Sequence, residues 1–357
     1  MKVLYYVNSK TQKTVGKSGV GRALFHQLRA AELNGIEYAA GFEDADVVHF
    51  NTVFPNAFFA ARKARRLGIP VVYHAHSTRE DFRNSYIGSN FAANAFKFWI
   101  KRCYNLGDVI VTPTEYSKGI LEGYGIKKPI YAVSNGIDLE DYQPSAEKAK
   151  RFREKYHLGE DEKVICSAGL IIRRKGVVDF AELARRMPEY KFIWFGTANL
   201  KLAGRDIRKA VNQKPDNLIF AGYVGKPELQ EALSGCDLFL FPSFEETEGI
   251  VVLEALAMKT PLLVRNIPVY KGWLERNKNA YMADSVDEFE RLTRGILEKE
   301  LPDLRESGYK MICRKKSLAD TGKQLKEVYE EAIRLCRIKN KDRRRPAKNK
   351  EKDKQTN

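Results

Sequence analysis

The sequence predicts an α/β protein made of two doubly wound, parallel-sheet domains in tandem. Short β-branched runs alternate with longer helical patterns through most of the chain, which is how parallel sheets flanked by helices are written. The 357 residues, 43% of them hydrophobic, exceed the roughly 250 residues at which a single core stops growing. A turn-rich, charged stretch interrupts the alternation near the middle.

Val3–Val7, Val47–Asn51, Val71–His76, Val109–Pro113 and Ile130–Ser134 read as strands of a first sheet. Val164–Ala168, Phe192–Gly196, Leu218–Ala221, Leu238–Pro242 and Pro261–Val264 read as strands of a second. Between the two series, Asn135-Gly136-Ile137-Asp138, Tyr142-Gln143-Pro144 and the charged segment Glu147–Lys155 read as a turn and a linker. An N-terminal domain over residues 1–145 and a C-terminal domain over 146–336 follow, the terminal helices being in a position to pack back on the first domain. From Arg337 to Asn357 there are ten Lys/Arg against three Asp/Glu and no apolar period, the pattern of a disordered basic tail.

Composition narrows the function classes. The longest apolar runs, such as Leu238–Phe241 and Ile250–Leu253, fall far short of the roughly 18 to 20 residues of a spanning helix. The run after Met1-Lys2 is too short for the apolar region of a signal peptide, so a cytoplasmic chain is expected. Five widely spaced cysteines with no Cys-x-x-Cys pair suit buried thiols better than disulfides or zinc. A net charge of +16 is compatible with nucleic acid, an anionic membrane surface, or solubility alone.

Ligands of doubly wound domains sit beyond the carboxyl ends of the strands. The most informative such segment is Phe241-Pro-Ser-Phe-Glu245-Glu246-Thr-Glu248-Gly249-Ile250-Val251-Val-Leu-Glu254. An acidic loop leaves a buried strand and Gly249 opens a helix, whose unpaired first amides, with Ile250 and Val251, offer a seat for a diphosphate. Glu246 and Glu254 are spaced to hold the two ends of a nucleotide-sugar. The same carboxylates would also complement a helix dipole, and spacing alone does not separate the readings.

Gly169-Leu170-Ile-Ile-Arg173-Arg174-Lys175-Gly176 follows another strand and presents cations that would neutralise a leaving diphosphate, or simply a solvated basic turn. In Pro70-Val-Val-Tyr-His74-Ala-His76, the two histidines share a strand face. A metal site there needs a third ligand, for which His49 is the candidate. Gly16-Lys-Ser-Gly19-Val-Gly21-Arg22 is a glycine-rich loop after the first strand, without dinucleotide-fingerprint spacing.

Together these segments resemble the retaining glycosyltransferases of family four, which have the GT-B architecture of two Rossmann-like domains facing a cleft. The resemblance covers roughly residues 1 to 290. Glu246 and Glu254 match its E-x7-E signature, and the surrounding sequence is similar to bacterial members that elongate glucosyl-diacylglycerol. The resemblance implies that Glu246 meets the sugar hydroxyls and Glu254 the ribose. It places His76 by the reacting carbon, Lys175 on the phosphates, Gly19 near the donor and Tyr223 by the base. Leu170 replaces the family's arginine, and Arg173 is the expected substitute.

Two further segments, Phe58–Arg66 and Phe91–Arg102, mix bulky apolar residues with cations, as interfacial helices do and as buried helices with exposed lysines also do. His74, Arg83, Phe96, Lys97, Trp99, Lys101 and Arg102 are the expected acceptor or membrane residues. The expected function is transfer of glucose or galactose from a UDP-sugar to a membrane glycolipid, by a peripheral enzyme on the inner face of the membrane. The product is an α-linked diglycosyl-diacylglycerol, and no metal or other cofactor is expected. Other readings are a different acceptor such as a polysaccharide, a sugar-nucleotide epimerase on the same scaffold, and a basic nucleic-acid-binding protein. Acidic residues at the cleft mouth oppose the last of these, so no specific nucleic acid is expected as a partner.

Overall fold

The computed structural model describes residues 1–7 and 19–344. Two six-stranded, all-parallel sheets lie in succession along the chain, as expected. The first comprises β1 (Lys2–Tyr6), β2 (Glu37–Tyr38), β3 (Val47–Phe50), β4 (Val71–His74), β5 (Val109–Thr112) and β6 (Ile130–Ala132), in the order β2-β1-β3-β4-β5-β6. The second comprises β7 (Val164–Ala168), β8 (Lys191–Phe195), β9 (Leu218–Gly222), β10 (Leu238–Phe241), β11 (Leu262–Arg265) and β12 (Tyr281–Ala283), ordered β12-β11-β10-β7-β8-β9. Strands β3, β4, β5 and β10 are buried at every residue, because helices cover both faces.

In the first domain α1 (Gly19–Leu33), α2 (Pro55–Arg66), α3 (Arg79–Phe82), α4 (Ser89–Tyr104) and α5 (Glu115–Gly123) surround the sheet. The charged segment expected to be a linker is instead a helix, α6 (Ala146–Lys155). Ser145 caps it, and it packs on the second domain through fully buried Phe152. Second-domain helices are α7 (Val177–Arg186), α8 (Arg205–Asn212), α9 (Lys226–Gly235), α10 (Ile250–Ala257), α11 (Val286–Leu297) and α12 (Arg305–Lys315).

The last helix, α13 (Leu318–Arg344), returns to the first domain, where Leu325, Val328, Tyr329 and Ala332 join the core formed by β1, β3, β4 and β5. It continues past Arg337, so residues 337–344 of the expected basic tail are helical, and 345–357 lie outside the described residues. All five cysteines are free; Cys313 is half-buried and the other four are buried. Among the described residues no helix is long and apolar enough to cross a membrane.

Strand order locates the ligand site of the second domain. Numbered from β7, its order is that of a dinucleotide-binding sheet, with the reversal between β7 and β10. The crevice at their carboxyl ends is the expected binding position. The loops that leave them are Gly169–Gly176 and Pro242–Gly249, the two segments richest in candidate residues.

Candidate active site

A cleft of about 370 Å³ opens between the domains at that position. Ala168 to Leu170, Arg174, Lys175, Tyr223 and Glu246 to Val251 line it from the second domain; Gly19, Val20, Arg22, His76, Asp81 and Asn135 line it from the first. The two second-domain loops interlock. Gly176 has φ +76°, and a Cβ there would fall 2.2 Å from the Pro242 carbonyl oxygen, so only glycine allows the approach.

Their contact brings Lys175 onto Glu246 as an ion pair. Ser243 Oγ donates to the same Glu246 oxygen, Oε1, at 2.6 Å, and Arg174 Nη1 lies 3.8 Å from it. Burial works against ionisation of Glu246, but Lys175 and Arg174 outweigh it and hold the carboxyl below its usual range. Burial also pushes the Lys175 ammonium down, while Glu246 pulls it back. Gly249, in the left-handed region at φ +86°, turns the chain into α10 beside this pair.

The acidic loop also ties the two domains together. Buried Glu248 accepts from Ser134 Oγ at 2.5 Å, the Asn135 amide nitrogens at 2.9 and 2.8 Å, and Lys316 Nζ at 2.9 Å. Glu245 accepts from the Tyr116 hydroxyl at 3.0 Å. These two glutamates therefore answer to first-domain and α12–α13 donors, beyond any effect of the helix dipole.

On the facing wall, His76 Nε2 is 2.8 Å from Asn51 Oδ1. Its ring stacks on His74 at 4.1 Å, and His74 stacks in turn on His49. Burial in this column pushes the His76 pKa down to about 3, so the ring is neutral near pH 7. Ring lone pairs lie in the ring planes, and stacked rings do not converge them on one ion. Among the described residues no cluster of His, Cys, Asp and Glu is arranged to hold a metal.

Several expected residues stand elsewhere. Arg173 points away from the cleft, its side chain 69% exposed and 3.4 Å from Asp206. The neighbouring Arg174 turns inward instead, to Asp81 at 2.9 Å and the Glu245 carbonyl at 2.7 Å. The reason is the single tight turn over Arg173–Lys175, which sends successive side chains in diverging directions. Glu254 is fully buried behind the wall, where Arg22 Nη1 reaches both its oxygens at 2.6 Å and the Tyr142 hydroxyl donates at 2.6 Å.

His74 is buried against Gln27 and cannot meet an acceptor directly. Phe96 stacks on Phe82, and Trp99 packs on Phe58 with its Nε1 on the Val53 carbonyl, so both are half-buried and held by the protein. Phe91 and Phe98 of the same helix do, at 96% and 62% exposure. Arg83 and Arg102 are exposed, Lys97 lies over the Tyr124 ring and Lys101 is half-buried. Arg174, Arg22 and Asp81 were missed as cleft residues by sequence reasoning. Arg22 did carry a signal, its place beside the glycines that open a helix.

The sequence matches the family model Glycosyltransferase Family 4 over residues 16–141 and that of Glycosyl transferases group 1 over 148–311. It is 41% identical to the processive diacylglycerol alpha-glucosyltransferase of Acholeplasma laidlawii, over 94% of this chain and all of that one. The chain belongs to the family-four glycosyltransferases. It is also 28% identical to the alpha-galactosylglucosyldiacylglycerol synthase of Streptococcus pneumoniae, over 76% of this chain and 75% of that one. The crystal structure of Anabaena HepE in complex with UDP-glucose shares the fold, with a TM-score of 0.75, 15% identity and coverage of 92% and 99%. This chain is thus a glycosyltransferase of GT-B architecture.

Proposed function

We propose that the chain moves glucose from UDP-glucose onto a diacylglycerol-linked sugar with retention of the α configuration. The observation that carries this reading is the Lys175–Glu246 pair set beside the start of α10 in the interdomain cleft. In the proposed scheme the helix start and Lys175 receive the diphosphate, and Glu246 accepts from sugar hydroxyls. Neutral His76 faces the sugar from the other domain. The departing phosphate takes the proton of the attacking hydroxyl on the same face. Lipid chemistry is supported by both relatives' names, and the choice of glucose by that of the 41% identical one.

The proposed docking surface is the outer face of α2 and α4. Phe59, Arg62 and Arg66 on α2, and Phe91, Phe98 and Arg102 on α4, recur at three-, four- and seven-residue spacing and are exposed. Incubation with radiolabelled UDP-glucose or UDP-galactose and glucosyl-diacylglycerol vesicles, followed by lipid extraction, tests the whole reading. Label in diglycosyl-diacylglycerol supports it, and the preferred donor fixes the sugar. Sugar-nucleotide conversion without acceptor would favour an epimerase instead. Repeating the assay with a chelator tests whether the chain's own cations suffice.

A further inference from the structure

We propose that Arg22 is a diphosphate-binding residue that exchanges partners, leaving Glu254 for the phosphates when the nucleotide's ribose takes that carboxylate. This rests on the reading of the cleft as a nucleotide-sugar site. Arg22 lines the cleft while Glu254 does not, and their side chains are 23% and 0% exposed. Arg22 therefore covers Glu254, and a ribose reaching the carboxylate must displace it. Tyr142 stays on Oε1 from the protein side and needs no such movement.

Charge balance gives Arg22 its destination. Lys175 shares its charge between the phosphates and Glu246, and Arg174 is held by Asp81 and the Glu245 carbonyl, so neither alone balances a diphosphate. Leu170 lines the cleft with no charge, and Arg173 faces away toward Asp206. Among the cleft-lining cations of the described residues, Arg22 alone is paired to the carboxylate assigned to the ribose. A guanidinium stripped of its anion in a partly buried site is strongly disfavoured. The diphosphate supplies anionic oxygens in a geometry that an arginine fork matches. Gly19, Val20 and Arg22 share the cleft with Gly249 to Val251, where the helix start would seat the phosphates.

Titration calorimetry with UDP and with uridine, on the full chain and on Arg22→Met and Arg22→Lys, separates the outcomes. Loss of a charge-assisted contact predicts that Arg22→Met weakens UDP by about 10- to 100-fold and uridine by no more than a few-fold, with Arg22→Lys recovering part of the UDP loss. Equal losses for both ligands would make Arg22 a structural cover for Glu254 and overturn the proposal. Unchanged UDP binding with tighter uridine would make it a mere obstruction, and would overturn it too. If Arg22→Met does not fold, Glu254→Gln carries the test. It frees Arg22, so uridine should weaken while the preference for UDP over uridine holds or rises; a fall in that preference overturns the exchange. Failure of the wild-type chain to bind either ligand would refute the cleft reading itself and the exchange with it.

Discussion

Lys175 and Glu246 form an ion pair that joins the loop after β7 to the loop after β10, with 15% and 8% of their side chains exposed. Lys175, Ser243 and, more distantly, Arg174 all address Oε1. Among the described residues no donor is bonded to Oε2, so that oxygen is the one available to a ligand in the cleft. Glu246→Gln keeps the shape and removes the charge. Turnover should fall by at least about a hundredfold, the scale of a lost charged contact to a transition state, with circular dichroism unchanged. Near-normal glycosyl transfer by the folded variant would remove Glu246 from the mechanism.

The adjacent arginines should separate cleanly. Arg173→Ala breaks only an exposed pair with Asp206, worth about 0 to 1 kcal/mol, and should leave turnover within about twofold. Arg174→Ala leaves Asp81 without its buried partner and removes the more distant of the two cations on Glu246, a loss of about 3 to 5 kcal/mol where a buried pair is broken. Urea denaturation and turnover measured on both variants check the contrast. A larger catalytic defect in Arg173→Ala than in Arg174→Ala would reverse the assignment.

Glu245 makes stability depend on pH in a defined direction. Burial raises its pKa from 4.5 to about 7, against the lowering effect of the Tyr116 hydrogen bond. Between those values the folded chain keeps a proton that the unfolded chain has lost, so this group's contribution to stability falls as pH rises through the window. Glu245→Gln retains an acceptor for Tyr116 and removes the titration. Its melting temperature should exceed the wild type's above about pH 7, with the gain shrinking to nothing near pH 4. An equal gain at both ends would show that the effect is not protonation.

How much of this was legible in the sequence depends on whether a feature is periodic or relational. Both sheets could be read from β-branched runs, since strands such as Val109–Thr112 are continuously apolar and bounded by turns. The two-residue β2 is too short to leave a pattern, and β12, Tyr281–Ala283, contains no β-branched residue. Helix α6 was hidden because its outer face is almost wholly charged and Phe152 alone is buried. At the site, Glu246, Lys175 and Gly249 were found because each follows a strand end. The choice between Arg173 and Arg174 turns on a single backbone rotation, and the Arg22–Glu254 pair spans 232 residues, so local spacing contains neither.

Membrane attachment gives the last prediction, and the structure sharpens which aromatic residues it concerns. Phe96 and Trp99 are held by Phe82 and Phe58, whereas Phe98 is 62% exposed with Arg102 over its ring, and Phe91 is almost wholly exposed. Phe58, Arg62, Phe98, Lys101 and Arg102 line one shallow groove between α2 and α4, so apolar and cationic groups from both helices share a surface. Each Lys or Arg near an anionic leaflet contributes about 1 kcal/mol before screening, and salt weakens that attraction. Phe98→Ala and Arg62→Ala/Arg102→Ala should therefore reduce co-sedimentation with anionic vesicles while leaving melting temperature nearly unchanged. Phe96→Ala should do the opposite, lowering stability by the few kcal/mol typical of a truncated packed aromatic. Because α13 is part of the first domain's core, the tail is best tested with a chain ending at Arg344, which leaves that packing intact. Retained binding by that chain is expected. Complete loss of binding, or equal binding to neutral vesicles, would move the docking surface away from α2 and α4.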